Sequence, residues 1–268
     1  LSAGDGYAPD EAVSVTIEGN GQGASAIAFP EPALRRLDAA GTTTITAGAD
    51  IDLQGQVHAG ELLSLSAGGD VTLNSDAFGG KDQGQAGGGI SITSKSGVID
   101  VGAGVMLNAV SGNVELMAPS ASIESDTVIA LEGRIRLDAA DDIRVTGLLH
   151  AAGDIQLTSD IGVIDVSADT SSVSSDSGAV QIDAERGSTV IRRATGFDGV
   201  TVAGLQGVTV TDTLFSNAGP VSVLSQNGEL DVRHLNAETD LSVTSFGLAT
   251  LSGELASRAG DVRVQSTS

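Results

Sequence analysis

The chain has 268 residues, 40% of them hydrophobic, yet only 2% are aromatic, with no Trp, one Tyr (Tyr7) and five Phe. A core is therefore built from Val, Ile, Leu and Ala, whereas ordinary enzymes spend more aromatic side chains on core and pocket. Thirty-five acidic against 13 basic residues leave a net charge of −22, which argues against a nucleic-acid partner, since that needs a basic footprint, and against an anionic membrane surface.

The start, LSAGDGYAPD, carries no initiator Met, no basic n-region and no apolar h-region. It does not read as a signal peptide, and the chain is expected to begin and end inside something longer. No apolar run approaches ~18 residues, so no membrane span is expected. Without a cysteine, disulfides and thiolate metal sites are excluded. Residues 12–18, AVSVTIE, alternate as a strand does. Residues 31–40, EPALRRLDAA, hold the only helix-like piece, with Pro32 near a first turn and then Leu34 and Leu37; a short helix is expected at 31–38. The first 40 residues are less regular than the rest of the chain, but no linker demands a second domain.

From Thr42 one phrase recurs: AGADIDL at 47–53, AGGDVTL at 67–73, AADDIRV at 139–145, AAGDIQL at 151–157 and RAGDVRV at 258–264. Gly or Asp makes the turn. An apolar, polar, apolar run then makes a half-buried strand. The first apolar residues form a series: Ile51, Val71, Ile90, Val114, Ile135, Ile155, Val180, Val200, Val221, Leu241, Val262. Its intervals lie between 19 and 25 residues. A second series runs in step with it: Ile99, Ile123, Ile143, Ile164, Val190, Val208, Leu230, Leu251. The unit is thus about 20–21 residues with at least two short strands. No unit buries its apolar side alone, but stacked units do. Helical periodicity and a leucine-rich ladder are both absent. The expected fold is all-β: a right-handed parallel β-helix, or β-solenoid, of about a dozen coils, forming one segment over 1–268. Val71, Leu73, Ile99 and Val101 should point inward, and Thr72 and Asp100 outward. The insertions at 77–89, AFGGKDQGQAGGG, and 167–178, SADTSSVSSDSG, should protrude as loops. The five Phe (Phe29, Phe78, Phe197, Phe215, Phe246) fit no ladder, and for some of them a place in corners or covering loops is expected.

The phrases LSLSAGGDVTLNS (63–75), GGGISITSKSGVIDV (87–101) and AAGDIQLTSDIGVIDV (151–166) resemble the repeats of filamentous-haemagglutinin-type exoproteins, which Gram-negative bacteria secrete by the two-partner route. The resemblance spans roughly residues 41–268. It implies a right-handed parallel β-helix and a place in a long secreted or surface-exposed adhesin fibre. It also implies an outer-membrane secretion partner and a host or bacterial surface glycan or protein as target. The Asn-Pro-Asn motifs of that family's secretion domain do not occur, so the segment reads as shaft, and no functional residue is carried over.

The residues offer little chemistry of their own. Asp100, Asp165 and Asp231 occupy matching places in GVIDV, GVIDV and GELDV, facing outward about three coils apart. That is ~14 Å, too far for an acid–base pair. Asp141-Asp142 reads as a turn. The dipeptides Gly69-Asp70, Gly153-Asp154 and Gly260-Asp261 read as turn residues too, since the calcium nonapeptide GGxGxDxUx is absent. His58, His150 and His234 lie about four coils apart with no HxH or HExxH spacing, and read as isolated surface or corner residues. Lys81 lies in no P-loop, and Arg35-Arg36 and Arg192-Arg193 read as solvated pairs. No catalytic, cofactor or metal residue is assigned, and a non-enzymatic shaft is expected. The alternatives are a polysaccharide-binding or polysaccharide-degrading β-helix and a subunit that associates end to end through unpaired strand edges.

Overall fold

The structure is a computed structural model and describes residues 14–18, 36–74, 77–79 and 88–267. Among these residues it is all strand and turn, with no helix. The strands stack as a parallel β-solenoid with three faces per coil. The first face carries five- or six-residue strands, such as Leu63–Ala67, Ile90–Ser94, Ile135–Ala139 and Ile155–Ser159. The second carries three-residue strands, such as Val71–Leu73, Ile99–Val101 and Ile143–Val145. The third carries four-residue strands, such as Gln56–Ala59, Met106–Ala109, Thr127–Ala130 and Leu148–Ala151. Apart from Ser14–Glu18, the described strands pair in parallel with their counterparts one coil on: Ile135 with Ile155, Ile123 with Ile143, Ala130 with Ala151. This produces about ten turns.

The alternation within each strand explains the core. Val71, Leu73, Ile99 and Val101 point inward and are 3% exposed or less. One continuous apolar cluster runs from Ile45 to Val243. Each fully buried Leu, Ile or Val contributes about 1.5–3 kcal/mol of transfer free energy, and the next coil supplies its packing partner.

Several sequence expectations change. The third face belongs to neither sequence series. Its signature is an apolar residue, one intervening residue, then Ala or Ser: Val57-His58-Ala59, Leu107-Asn108-Ala109, Val128-Ile129-Ala130, Val173-Ser174-Ser175. Ile51 and Val71 belong with Ile99 on the second face, and Ile90 stacks on Leu63 of the first. The first series therefore changes face between Val71 and Ile90. On the second face Thr189 holds the buried position above Ile164, while Val190 stacks on the outward Asp165. Leu251 stacks on Val232, and Ala249 on Leu230.

The helix expected at 31–38 is absent over its described part. Arg36–Ala39 is a third-face strand pairing with Gln56–Ala59, because Leu37 and Ala39 continue the ladder of Val57 and Ala59; residues 31–35 lie outside the described residues. The loop expected at 77–89 begins as a strand, Ala77–Gly79, paired with both neighbouring coils; residues 80–87 lie outside the described residues. The loop expected at 167–178 contains a third-face strand, Ser172–Ser175. The extra length of that coil is taken up at 167–171, where buried Ser171 donates from Oγ to the Val166 and Ala168 carbonyls. A strand within 12–18 is present as Ser14–Glu18, but it runs antiparallel to Thr42–Thr46 and adds no coil. The coil count is accordingly nearer ten than twelve.

Corners are built from small residues. The strands of the first face end on a ladder of Ala, Ser and Gly: Ala118, Ala139, Ser159, Ala184, Gly204 and Ser225 among them. At several strand ends on the first and third faces a Ser hydroxyl accepts the N–H of the Gly three places on, whereas Ser225 Oγ donates to the Gly228 carbonyl instead. Gly162 N donates to Ser159 Oγ at 3.0 Å and Gly178 N to Ser175 Oγ at 2.9 Å. These satisfy turn groups that the buried corner hides from water. The Gly-Asp dipeptides, and Asp142 of the Asp141-Asp142 pair, do more than turn. Asp70 Oδ1 accepts Val98 N, Asp154 Oδ1 accepts Ala179 N, and Asp142 Oδ1 accepts Val163 N, each one coil on, at 2.7–2.8 Å. These carboxylates bracket one rung to the next.

From Ser188 the second and third faces fuse into long bent strands, Ser188–Gly196, Gly207–Ser216 and Glu229–Ala237. The register shifts between Ile191 and Arg193 and between Val210 and Thr213, as a β-bulge produces. In the last described rung, Val262 and Val264 stack on the buried Leu241 and Val243 but are themselves exposed, at 48% and 46%.

Candidate functional surfaces

The register places the matched carboxylates as expected. Asp100, Asp165 and Asp231 lie in one outward row of the second face, each three rungs from the next. The rungs between them matter as much. Glu124 and Arg144 fill the row between Asp100 and Asp165, giving the order acid, acid, base, acid at a spacing of ~4.8 Å. Spacing arguments drawn from the repeated GVIDV phrase missed both, because their coils read SIESD and DIRVT instead.

A shallow cleft of about 200 Å³ lies against this row, lined by Ser122, Glu124, Asp142, Arg144, Val163 and Asp165 together with Ile123 and Ile143. Arg144 Nη2 stands 3.8 Å from Asp165 Oδ2. Asp165 Oδ1 accepts from both the backbone and the hydroxyl of Ser167, so this carboxylate closes a local turn as well as facing the Arg. Asp142 is held by its bond to Val163 N, and Ser122 Oγ accepts Asp142 N at 3.2 Å. The cleft thus combines one guanidinium with carboxylates whose positions the turns fix. It offers donors and acceptors to a polar ligand.

The histidines are spread out. His58 and His150 share an outward row of the third face four rungs apart, and His234 lies in the neighbouring row. His150 Nε2 stands 3.4 Å from Asp176 Oδ2, and His234 Nδ1 accepts Glu254 N. Among the described residues no three His, Cys, Asp or Glu side chains converge as a metal site would require. Arg35 lies outside the described residues, and Arg36 opens a third-face strand.

The pair Arg192-Arg193 is not simply solvated. It sits at the bulge of the first bent strand. Arg193 Nη2 donates to Asp212 Oδ2 at 2.7 Å, and Arg192 Nη1 reaches the Ser171 carbonyl at 3.4 Å. The hydrogen bond from Arg193 holds the Asp212 carboxyl below its ordinary value; burial opposes it as the next-largest influence, and a bond from Thr213 and the charges of both arginines add to the lowering. Just beyond it the third face carries Phe215, exposed and pointing outward, with Thr195 on the rung before and Asn236 on the rung after. Phe197 and Phe246 occupy corners, Phe78 holds a third-face register position, and Phe29 lies outside the described residues. Phe215 and Phe78 both fall on third-face strands rather than at corners, and Phe215 is exposed there.

No family model matches this chain, and neither the curated proteins nor the solved structures contain a match.

Proposed function

We propose that the chain is a non-enzymatic shaft segment of a long, secreted or surface-exposed bacterial adhesin fibre of the filamentous-haemagglutinin type. The observation that supports this most is the stacking of successive rungs through one apolar cluster from Ile45 to Val243. Such a body holds its two ends at a fixed separation, since each rung contacts only its neighbours. Its outward rows are polar and acidic, which suits a long solvated surface. In this reading export uses an outer-membrane secretion partner, and the target is a host or bacterial surface glycan or protein.

The cleft at Glu124, Arg144 and Asp165 favours one second reading, a β-helix that binds or cleaves polysaccharide, because carboxylates beside a guanidinium are the groups such chemistry uses. One experiment separates the two. Beads coated with the purified chain are tested for retention on epithelial and bacterial cells, and the soluble chain is incubated with polygalacturonate and cellulose oligomers. The shaft reading predicts retention above bare beads and no new reducing ends. Reducing ends that disappear in Glu124→Gln would contradict it in favour of the enzyme.

A further inference from the structure

The bent strands set an exposed aromatic ring among neutral polar residues on a strand face. On the third face over rungs 193–236 the outward positions are Arg193 and Thr195, then Thr213 and Phe215, then His234 and Asn236. Phe215 lies at the centre. Thr213 precedes it by two residues on the same strand, Asn217 follows by two, and Thr195 and Asn236 flank it on adjacent rungs. Its four nearest outward neighbours are therefore neutral and polar, carrying hydroxyls or amides. Phe197, 42% exposed, stands at the corner of the rung below, and its carbonyl accepts Ser216 Oγ at 3.3 Å, so the two phenyl groups belong to neighbouring rungs. A chain with five Phe in 268 residues leaves both of these in water.

An apolar partner would leave the surrounding amides and hydroxyls unpaired at a cost. A highly charged partner would find few complementary charges next to the ring. A sugar presents a hydrophobic C–H ring face edged by hydroxyls, so it covers the phenyl and pairs the surrounding donors and acceptors at once. We infer that the third face around Phe215 is a glycan-binding platform, with Phe215 and Phe197 against pyranose faces and Thr195, Asn217 and Asn236 bonding ring hydroxyls. This deepens the adhesin reading and rests on it for its biological setting. Arg193, two residues before Thr195 on the same rung, has N–H donors beyond the one given to Asp212. These suit a sugar carboxylate, so a uronate chain should bind more tightly than a neutral one.

The test is calorimetric titration of the chain with three probes: cellohexaose, chitohexaose and hexagalacturonate. The platform predicts binding of at least one probe. Phe215→Ala should weaken it by about fivefold or more, the loss expected for one aromatic contact. Arg193→Ala should weaken hexagalacturonate alone. Phe246→Ala, an exposed phenyl at a distant corner, is the control and should change nothing. All of these are surface sites, and an unchanged circular dichroism spectrum checks the fold. Failure of all three probes overturns the platform, as does binding indifferent to Phe215→Ala. If bead retention on cells persists in Phe215→Ala, the platform falls while the adhesin reading stands; if wild-type beads are not retained at all, the adhesin reading falls regardless of the titrations.

Discussion

At the scale of single residues, the repeated Asp is the clearest example of sequence and structure agreeing in part. Asp70 and Asp154 were legible as turn residues, because Gly-Asp before an alternating run is turn chemistry, and Asp142 was legible through the Asp141-Asp142 pair in the same place. Their second role, accepting a backbone N–H from the following coil, needs the register and cannot be read from one turn. The same holds for Arg193 and Asp212, which lie 19 residues apart in sequence and 2.7 Å apart in space. Their contact carries a pH prediction. Because Arg193 holds the Asp212 carboxyl below its ordinary value in the folded chain, the unfolded chain takes up this proton first on acidification. The stabilisation is complete above the unfolded value of about 4 and is lost as pH falls through the lower, folded value. Between pH 5 and pH 3 the wild type should therefore lose more stability than Asp212→Asn. Urea midpoints at both pH values measure it, and parallel losses in the two proteins would contradict the assignment.

At the scale of strands and corners, two of three faces were legible. The long and short strands announce themselves through Ile, Val and Leu at alternate positions. The third does not, since Val57-His58-Ala59 or Leu149-His150-Ala151 offers one large apolar residue and one Ala, too little for a periodic signal. The face change between Val71 and Ile90 was hidden for a related reason. Both open similar phrases 19 residues apart, close to one repeat, although they lie on different faces. Over 36–38, the described part of the helix expected at 31–38, the chain is strand because Leu37 and Ala39 continue the ladder of Val57 and Ala59, a register that the helical spacing of Leu34 and Leu37 does not reveal. Corners are where close approach sets the sequence. A Cβ at Gly187 would overlap the Gly162 carbonyl of the rung below, whereas Gly104 has open space but a φ of +78°. Gly187→Ala should cost about 1–3 kcal/mol through displaced backbone, and Gly187→Asn more. Gly104→Ala should cost about 1–2 kcal/mol through left-handed strain, while Gly104→Asn is milder, because Asn tolerates that conformation. Denaturant titrations of the four variants give the order. Equal costs for Ala and Asn at Gly104, or a harmless Gly187→Asn, would contradict this division between strain and crowding.

At the scale of the whole molecule, one core built without Trp and almost without aromatics is held together by the stacking of each rung on the next. That feature was legible from spacing, since two series of strand phrases advancing together leave few other folds. The candidate surfaces were less legible. The Glu124–Arg144 insertion into the Asp100–Asp165 row and the polar ring around Phe215 exist only once coils of unequal length are aligned. Both surfaces, and the shaft itself, depend on continuous stacking. The most direct measurement is small-angle X-ray scattering of the purified chain. About ten turns at ~4.8 Å predict a prism with its stacked rungs spanning roughly 50 Å, and a pair-distance distribution with an early peak from the narrow cross-section and a long declining tail. A symmetric, bell-shaped distribution, as from a sphere of the same mass, would contradict the stacking and every inward and outward assignment that depends on it.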